Sequence, residues 1–128
     1  MSFFDTIFGA SDDANLPSKI GWRPLTDLGQ LNEIITESES KLVVVFKHST
    51  RCSVSRMALC HFENDFDLED QMTPYFLDLL AYREVSNEIA NRFNVEHQSP
   101  QLLLISRGKS IYNASHNSID AEDLKRYL

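Results

Sequence analysis

The chain of 128 residues contains only two cysteines, Cys52 and Cys60. One pair cannot supply the disulfide framework that small secreted domains use in place of a large core. Positive charge is also scarce: 12 Lys and Arg stand against 19 Asp and Glu, a formal net charge of −7. That deficit argues against nucleic acid or an anionic membrane as the main partner, since both reward clustered Lys and Arg. No apolar run approaches the roughly 20 residues that span a bilayer. The first ten residues have no Lys or Arg, and Asp5 interrupts their apolar run, which makes a poor signal peptide. The expected location is therefore cytoplasmic. Internal repeats and low-complexity segments are absent as well.

What is present suits one soluble globular domain with one core. Residues 1–20 read as an irregular extension, with Gly9-Ala10-Ser11-Asp12-Asp13 and Pro17-Ser18 as breakers. Phe3, Phe4, Ile7 and Phe8 in that extension can pack on the domain or meet a partner, and the sequence leaves both open. The domain itself is expected over residues 21–128.

Trp22 and Leu25 flank a short extended piece around Pro24. Thr26 or Asp27 can cap a helix to about Thr36, with Leu28, Leu31, Ile34 and Ile35 on one face. Residues 42–46 form a continuous β-branched apolar run, the pattern of a strand covered on both faces. A helix is expected from Cys52, with Met57, Leu59, Cys60 and Phe62 as its apolar surface and the acidic stretch to Asp70 continuing or fraying it. Pro74 introduces a strand over residues 75–80. Ser86 can cap a helix holding Ile89, Ala90 and Phe93. Residues 101–106 form the next strand, and Arg107-Gly108-Lys109 reads as a tight turn into residues 110–114. Ser118 can cap a last helix with Ile119, Leu124 and Tyr127. Strands separated by helices imply parallel pairing, and the final hairpin adds antiparallel strands. The fold class expected is α/β and thioredoxin-like, a central mixed β-sheet flanked by helices.

The chemistry concentrates in Phe46-Lys47-His48-Ser49-Thr50-Arg51-Cys52-Ser53-Val54-Ser55. A strand, a short polar loop and a helix start put the Cys52 thiol at a helix N-terminus. Unpaired N–H groups and the helix dipole favour a thiolate there. Lys47, His48 and Arg51 are cationic or titratable neighbours, with Lys47 and Arg51 the candidates to stabilise the thiolate. The competing reading is an inert buried cysteine, which the polar surroundings disfavour. Ser55 lies one helical turn beyond Cys52, where its hydroxyl can donate to the thiolate. A dithiol enzyme would carry its resolving cysteine at that position. Cys-x-x-Ser therefore implies that an outside thiol completes turnover. An ordinary surface serine is the plainer alternative.

Ser99-Pro100 directly precedes the third strand. A cis bond there would hold the Ser99 backbone where its N–H and C=O can pair with an extended substrate. Cys60 is expected in the core. On one helix, Cys52 and Cys60 would lie roughly 12 Å apart along the axis, beyond the about 7 Å between Cα atoms that a disulfide allows. His48, His61, Cys52 and Cys60 match no common zinc spacing, so no metal is expected. His97 can lie near the Pro100 loop or stand solvated, and His116 has no identifiable partner.

The segment from Phe46 to Ser55 resembles the active-site region of the YtxJ-like monothiol bacilliredoxin family, which shows Lys-His-Ser and then Cys-Pro-Ile-Ser. The resemblance extends over roughly residues 20–128, through Asn87, Ile89 and Ala90 and the Ser-Pro-Gln before the third strand. It implies a thioredoxin-like fold acting in bacillithiol-linked redox. Cys52 would attack a protein–bacillithiol mixed disulfide and take the bacillithiol, and a second thiol would release it. The implied partners are S-thiolated client proteins and bacillithiol or another low-molecular-weight thiol as co-substrate, with no bound cofactor. Ser53 replaces the family's usual Pro, removing a rigid first-turn residue, and Arg51 stands where a smaller residue is common. The motif is also similar to the Cys-Gly-Phe-Ser site of monothiol glutaredoxins, but Ser53 in place of that Gly speaks against an iron–sulfur cluster. A non-catalytic thioredoxin-like module, binding a partner beside Pro100 or sensing thiols, is the alternative function.

Overall fold

The computed structural model describes residues 20–128. The extension expected over residues 1–20 therefore lies, apart from Ile20, outside the described residues. The elements are β1 (Arg23–Pro24), α1 (Gly29–Glu37), β2 (Leu42–His48), α2 (Ser53–Asp65), β3 (Met72–Asp78), α3 (Arg83–Arg92), β4 (Gln101–Ser106) and β5 (Lys109–Ser115). Two 3-10 segments follow, His116–Ser118 and Ala121–Tyr127. The five strands run in the order β1-β3-β2-β4-β5. β1, β3 and β2 pair in parallel, and β4 and β5 join antiparallel. The expected mixed sheet is present. Among the described residues no helix is long and apolar enough to cross a membrane.

Both faces of the sheet are covered, as the uninterrupted apolar run in β2 requires. Val44 and Phe46 point into one core with Ala58, Leu59 and Phe62 of α2, and with Ile119 and Leu124 of the C-terminal segment. Val43 and Val45 point into the other, with Leu31 and Ile34 of α1 and Val85 and Ile89 of α3. The first core is aromatic. Trp22 stacks on Phe62 at 5.8 Å and meets Phe46 and Phe76 edge-on, and Phe62 stacks on Phe66 at 5.0 Å. The Trp22 Nε1–H donates to Glu63 Oε2 at 2.7 Å, so burial leaves its polar handle paired.

Local chemistry explains the boundaries. Asp27 Oδ1 accepts from the Gln30 N–H, and Gln30 Oε1 accepts from the Asp27 N–H, a reciprocal cap ahead of α1. Leu28 precedes that helix and is exposed rather than on its apolar face. The two-residue turn Arg107-Gly108 has positive φ at both positions, 51° and 76°, which matches the twist of the strands it joins. The strand 101–106 and the extended piece at Pro24 are where the pattern put them.

Several local readings are corrected. α2 ends at Asp65. It buries Ser55, Ala58, Leu59 and Phe62, an i, i+3, i+4, i+7 stripe. Met57 falls outside the stripe and is 73% exposed. Cys60 falls outside it too, so it is exposed rather than a core residue. β3 begins at Met72 and contains Pro74. β1 reaches β3 only at Tyr75 and Phe76, so at Pro74 the strand is an edge, where a missing N–H is tolerated. Ser86 caps nothing: α3 starts at Arg83, and Ser86 is buried inside it. The last segment is 3-10, and Asp120 caps it by accepting from the Glu122 N–H at 3.0 Å, while Ser118 lies in the preceding turn.

Candidate thiol site

β2 and β3 both end, at His48 and Asp78, on the edge of the sheet where β4 begins at Gln101. The loop from Ser49 to Cys52 leaves β2 at that edge, and the Ser99–Pro100 bond, which is cis, enters β4 there. Lys47 pairs with Gln101, so the Pro100 segment flanks the end of β2 from which the cysteine loop departs. The carboxyl ends of parallel strands are where open α/β sheets place their sites.

Cys52 is the N-cap residue of α2, in extended conformation with φ −112° and ψ 121°. Its N–H donates to Ser49 O at 3.2 Å, and its carbonyl accepts from the Arg56 N–H at 3.1 Å. It makes no side-chain cap bond and is half-buried. The thiol therefore opens a helix whose first-turn N–H groups lack partners within the helix. Ser53, where a Pro would remove a donor, keeps its N–H. Both cysteines are free. Val54 and Met57 are exposed on the first turns of the same helix.

Ser55 is not a surface serine; it is 0% exposed. Its Oγ accepts from the Ser49 N–H at 3.0 Å and stands 2.8 Å from His48 Nδ1. The hydroxyl thus ties the cysteine loop to the strand end and engages His48 and Ser49, rather than donating to the Cys52 thiol as expected. His48 is buried beside Phe76, ring centroids 5.5 Å apart. Burial lowers its pKa to about 4; Asp78 raises it and Arg56 lowers it by smaller amounts. At neutral pH the imidazole is uncharged and acts as a hydrogen-bonding strut.

Lys47 alternates to the opposite face of the sheet, away from α2. It is 0% exposed. Its Nζ lies 3.4 Å from Ser86 O and 3.1 Å from His97 Nδ1. Burial lowers its pKa to about 8. Arg51 is exposed on the loop next to Cys52. Ser99 is half-buried and Pro100 buried, with Pro100 O accepting from the His116 N–H at 3.1 Å. Cys52, Ser55, His48 and Arg51 therefore share one corner with Ser99 and Pro100, while the Lys47 ammonium turns to the other face. Two participants went unrecognised in the sequence, Ser86 and Gln101, because their importance depends on which strand residue they face. Cys52 and Cys60 do not converge on a metal site. The only group of potential metal-ligating side chains among the described residues is His61, Asp65 and Asp120, at the surface; His61 and Asp65 already form an i, i+4 contact of 3.7 Å.

A cysteine opening a helix at the end of a parallel strand, opposite a cis-Pro segment, defines a thiol oxidoreductase site on a thioredoxin fold. Solved structures agree on the fold. A protein with a thioredoxin fold, described as a candidate oxidoreductase, is 33% identical with a TM-score of 0.70, covering 80% of this chain and 89% of its own. Malassezia sympodialis thioredoxin is 18% identical, TM-score 0.66, over 88% of this chain and 91% of its own. Fasciola hepatica thioredoxin is 20% identical, TM-score 0.62, over 82% and 94%. Residues 23–124 match the family described as monothiol bacilliredoxin BrxC. The chain belongs to the monothiol bacilliredoxin family.

Proposed function

We propose that this protein is a monothiol thiol–disulfide oxidoreductase that removes bacillithiol, or a similar low-molecular-weight thiol, from client proteins. The observation that carries the proposal is a free, half-buried Cys52 at the N-cap of α2 with a serine, Ser55, one turn on. The Cys52 thiolate attacks the bacillithiol sulfur of a client mixed disulfide. A Cys52–bacillithiol disulfide forms, the client S–S bond breaks, and the client sulfur leaves as thiolate and takes up a proton. A second low-molecular-weight thiol then attacks that disulfide, releasing an oxidised thiol dimer and Cys52. Ser55 cannot take this second step, and exposed Cys60 lies two turns along α2.

The first-turn N–H groups of α2 support negative charge at the attacking sulfur. Exposed Arg51 is offered to the carboxylates of the incoming thiol or client. The Ser99 backbone, beside Pro100, is offered to an extended client segment as an added strand. The reaction needs no bound cofactor or metal. Two unpaired cysteines suit a reducing, cytoplasmic compartment.

Intact mass spectrometry tests the reading. Wild type and Cys52→Ser are each mixed with a bacillithiol-modified client. Wild type should gain one bacillithiol on Cys52 while the client loses it, and Cys52→Ser should leave the client unchanged. No mass change in either, with bacillithiol and then with a glutathione-modified client, would leave a non-catalytic binding module as the better reading.

A further inference from the structure

Lys47 is a buried ammonium whose contacts among the described residues include no carboxylate. Side-chain burial is complete, and its Nζ faces Ser86 O and His97 Nδ1. Isolated buried charge is costly, and an apolar side chain of similar volume is the usual occupant of such a strand position. Its cross-strand partner is equally unusual. Gln101 is 1% exposed; its Nε2–H donates to Glu96 O at 2.9 Å, while its Oε1 has no partner among the described residues. Lys47 and Gln101 are directly paired in the β2–β4 register, so their side chains share the face covered by α3.

These contacts converge on one segment. Residues 93–100 connect α3 to β4 and carry Ser99 and Pro100. Gln101 holds that segment by the Glu96 carbonyl, and Lys47 holds it by the His97 ring. Ser86 Oγ adds a longer contact to the same His97 nitrogen, at 3.4 Å. A lysine can only donate, so His97 Nδ1 is the acceptor and the ring is neutral, with its proton on Nε2. Burial, then Lys47 and Arg83, all lower the His97 pKa, in keeping with that assignment. Ser86 of α3, Gln101 of β4 and His97 of the loop are thus polar neighbours of Lys47, and Arg83 of α3 acts on the His97 ring.

We infer that His97 is a positioning residue: Lys47, reaching through the sheet's far face, latches the Ser99–Pro100 segment in place through the His97 ring. This rests on the proposed function for the identity of the client, and adds how the client-facing backbone is held. Thiol chemistry at Cys52 does not pass through the latch. The latch sets how well a client segment is received, not how fast the thiol reacts.

Three variants test it: His97→Ala, His97→Asn, whose Oδ1 replaces Nδ1 as acceptor, and Lys47→Met. His97 is a loop residue outside both core clusters, so its substitutions leave the core intact. Amide hydrogen exchange over residues 96–101 is read first. His97→Ala and Lys47→Met should speed it by about tenfold, the size of one charge-assisted hydrogen bond, and His97→Asn should restore it. With a bacillithiol-modified client, KM should rise by a similar factor in His97→Ala, with kcat and Cys52 alkylation by iodoacetamide held within about twofold. Exchange in His97→Ala equal to wild type overturns the latch, as does failure of Asn to restore it. Faster exchange with unchanged KM overturns the positioning role. If wild type transfers no bacillithiol at all, the functional reading fails, while the exchange data still decide the latch.

Discussion

The two faces of the central sheet reach the same edge by different chemistry. Along β2, Val44, Phe46 and His48 face α2, and Val43, Val45 and Lys47 face α1 and α3. Each face is apolar until its last residue and then becomes titratable. On the α2 face the change is absorbed within the cysteine loop: His48, Ser55 and Ser49 satisfy one another beneath Cys52. On the other face Lys47 is satisfied by a carbonyl of α3 and a histidine of the Pro100 segment. One strand therefore braces both arms of the site, the thiol arm with a neutral imidazole and the Pro100 arm with an ammonium. Burial of a polar strand end is tolerated where each donor or acceptor finds a partner, and Gln101 Oε1 marks where that accounting is incomplete.

The largest effect separates the two thiols. Cys52→Ser should abolish transfer, a loss of several orders of magnitude, while Cys60→Ser, on the exposed side of α2, should leave the transfer rate within a factor of about two. Equal losses in a transfer assay would mean that the resolving thiol lies in the chain.

Core substitutions compare the faces directly. Phe62→Ala removes a ring that touches Trp22, Phe46 and Phe66 and should cost about 3–5 kcal/mol. Ile89→Ala on the opposite face should cost about 2–5 kcal/mol. Urea denaturation measures both, and a loss under about 1 kcal/mol at either position would show that face to be loosely packed.

The faces should also titrate at opposite ends of the pH scale. His48 in the folded chain has a pKa of about 4, below the unfolded value of 6.5. Between those values the unfolded state binds more protons, so stability rises with pH across that window. The His48 contribution is complete above about 6.5 and lost as pH falls toward 4, on the order of 3 kcal/mol in all. Lys47 behaves alike at the alkaline end: with a folded pKa of about 8 against 10.5, it makes stability rise from pH 8 to 10.5. Chemical denaturation of wild type, His48→Gln and Lys47→Met across pH 4–10.5 should show each variant flattening only its own limb. A variant that flattens both would show the two faces to be coupled.

A smaller effect is expected at Ser55. Ser55→Ala leaves the Ser49 N–H and His48 Nδ1 without their buried partner and should cost about 1–3 kcal/mol. Ser55→Cys tests a separate point: placed one turn from Cys52, the new thiol should allow an intramolecular disulfide, detected as a loss of two mass units on oxidation.

Much of the arrangement was legible from local pattern. The apolar run in β2, the strand at 101–106, the Arg107-Gly108 turn and the cysteine at a helix start all depend on period or on residue-specific backbone preferences, which act over a few neighbours. The cis reading of Ser99–Pro100 depends on the cysteine motif that accompanies it, because a proline before a strand by itself favours trans. The errors share a cause. Apolar character alone puts Met57 on the helix's apolar surface and Cys60 in the core, but the stripe that α2 buries runs through Ser55, Ala58, Leu59 and Phe62. Serine caps well in isolation, which is why Ser86 and Ser118 suggest caps in the sequence. Ser86 instead lies within α3, at the lysine.

The sequence by itself determined the order of elements, the fold class and the thiol at the head of α2, because hydrophobic period and turn chemistry are written in adjacent residues. Only the tertiary structure decided that Ser55 serves the loop, that Lys47 turns from the thiol and that His97 meets it. Those outcomes depend on strand register and on which helix covers which face. Residues 39 and 50 positions apart in the chain become neighbours only when the sheet closes around β2.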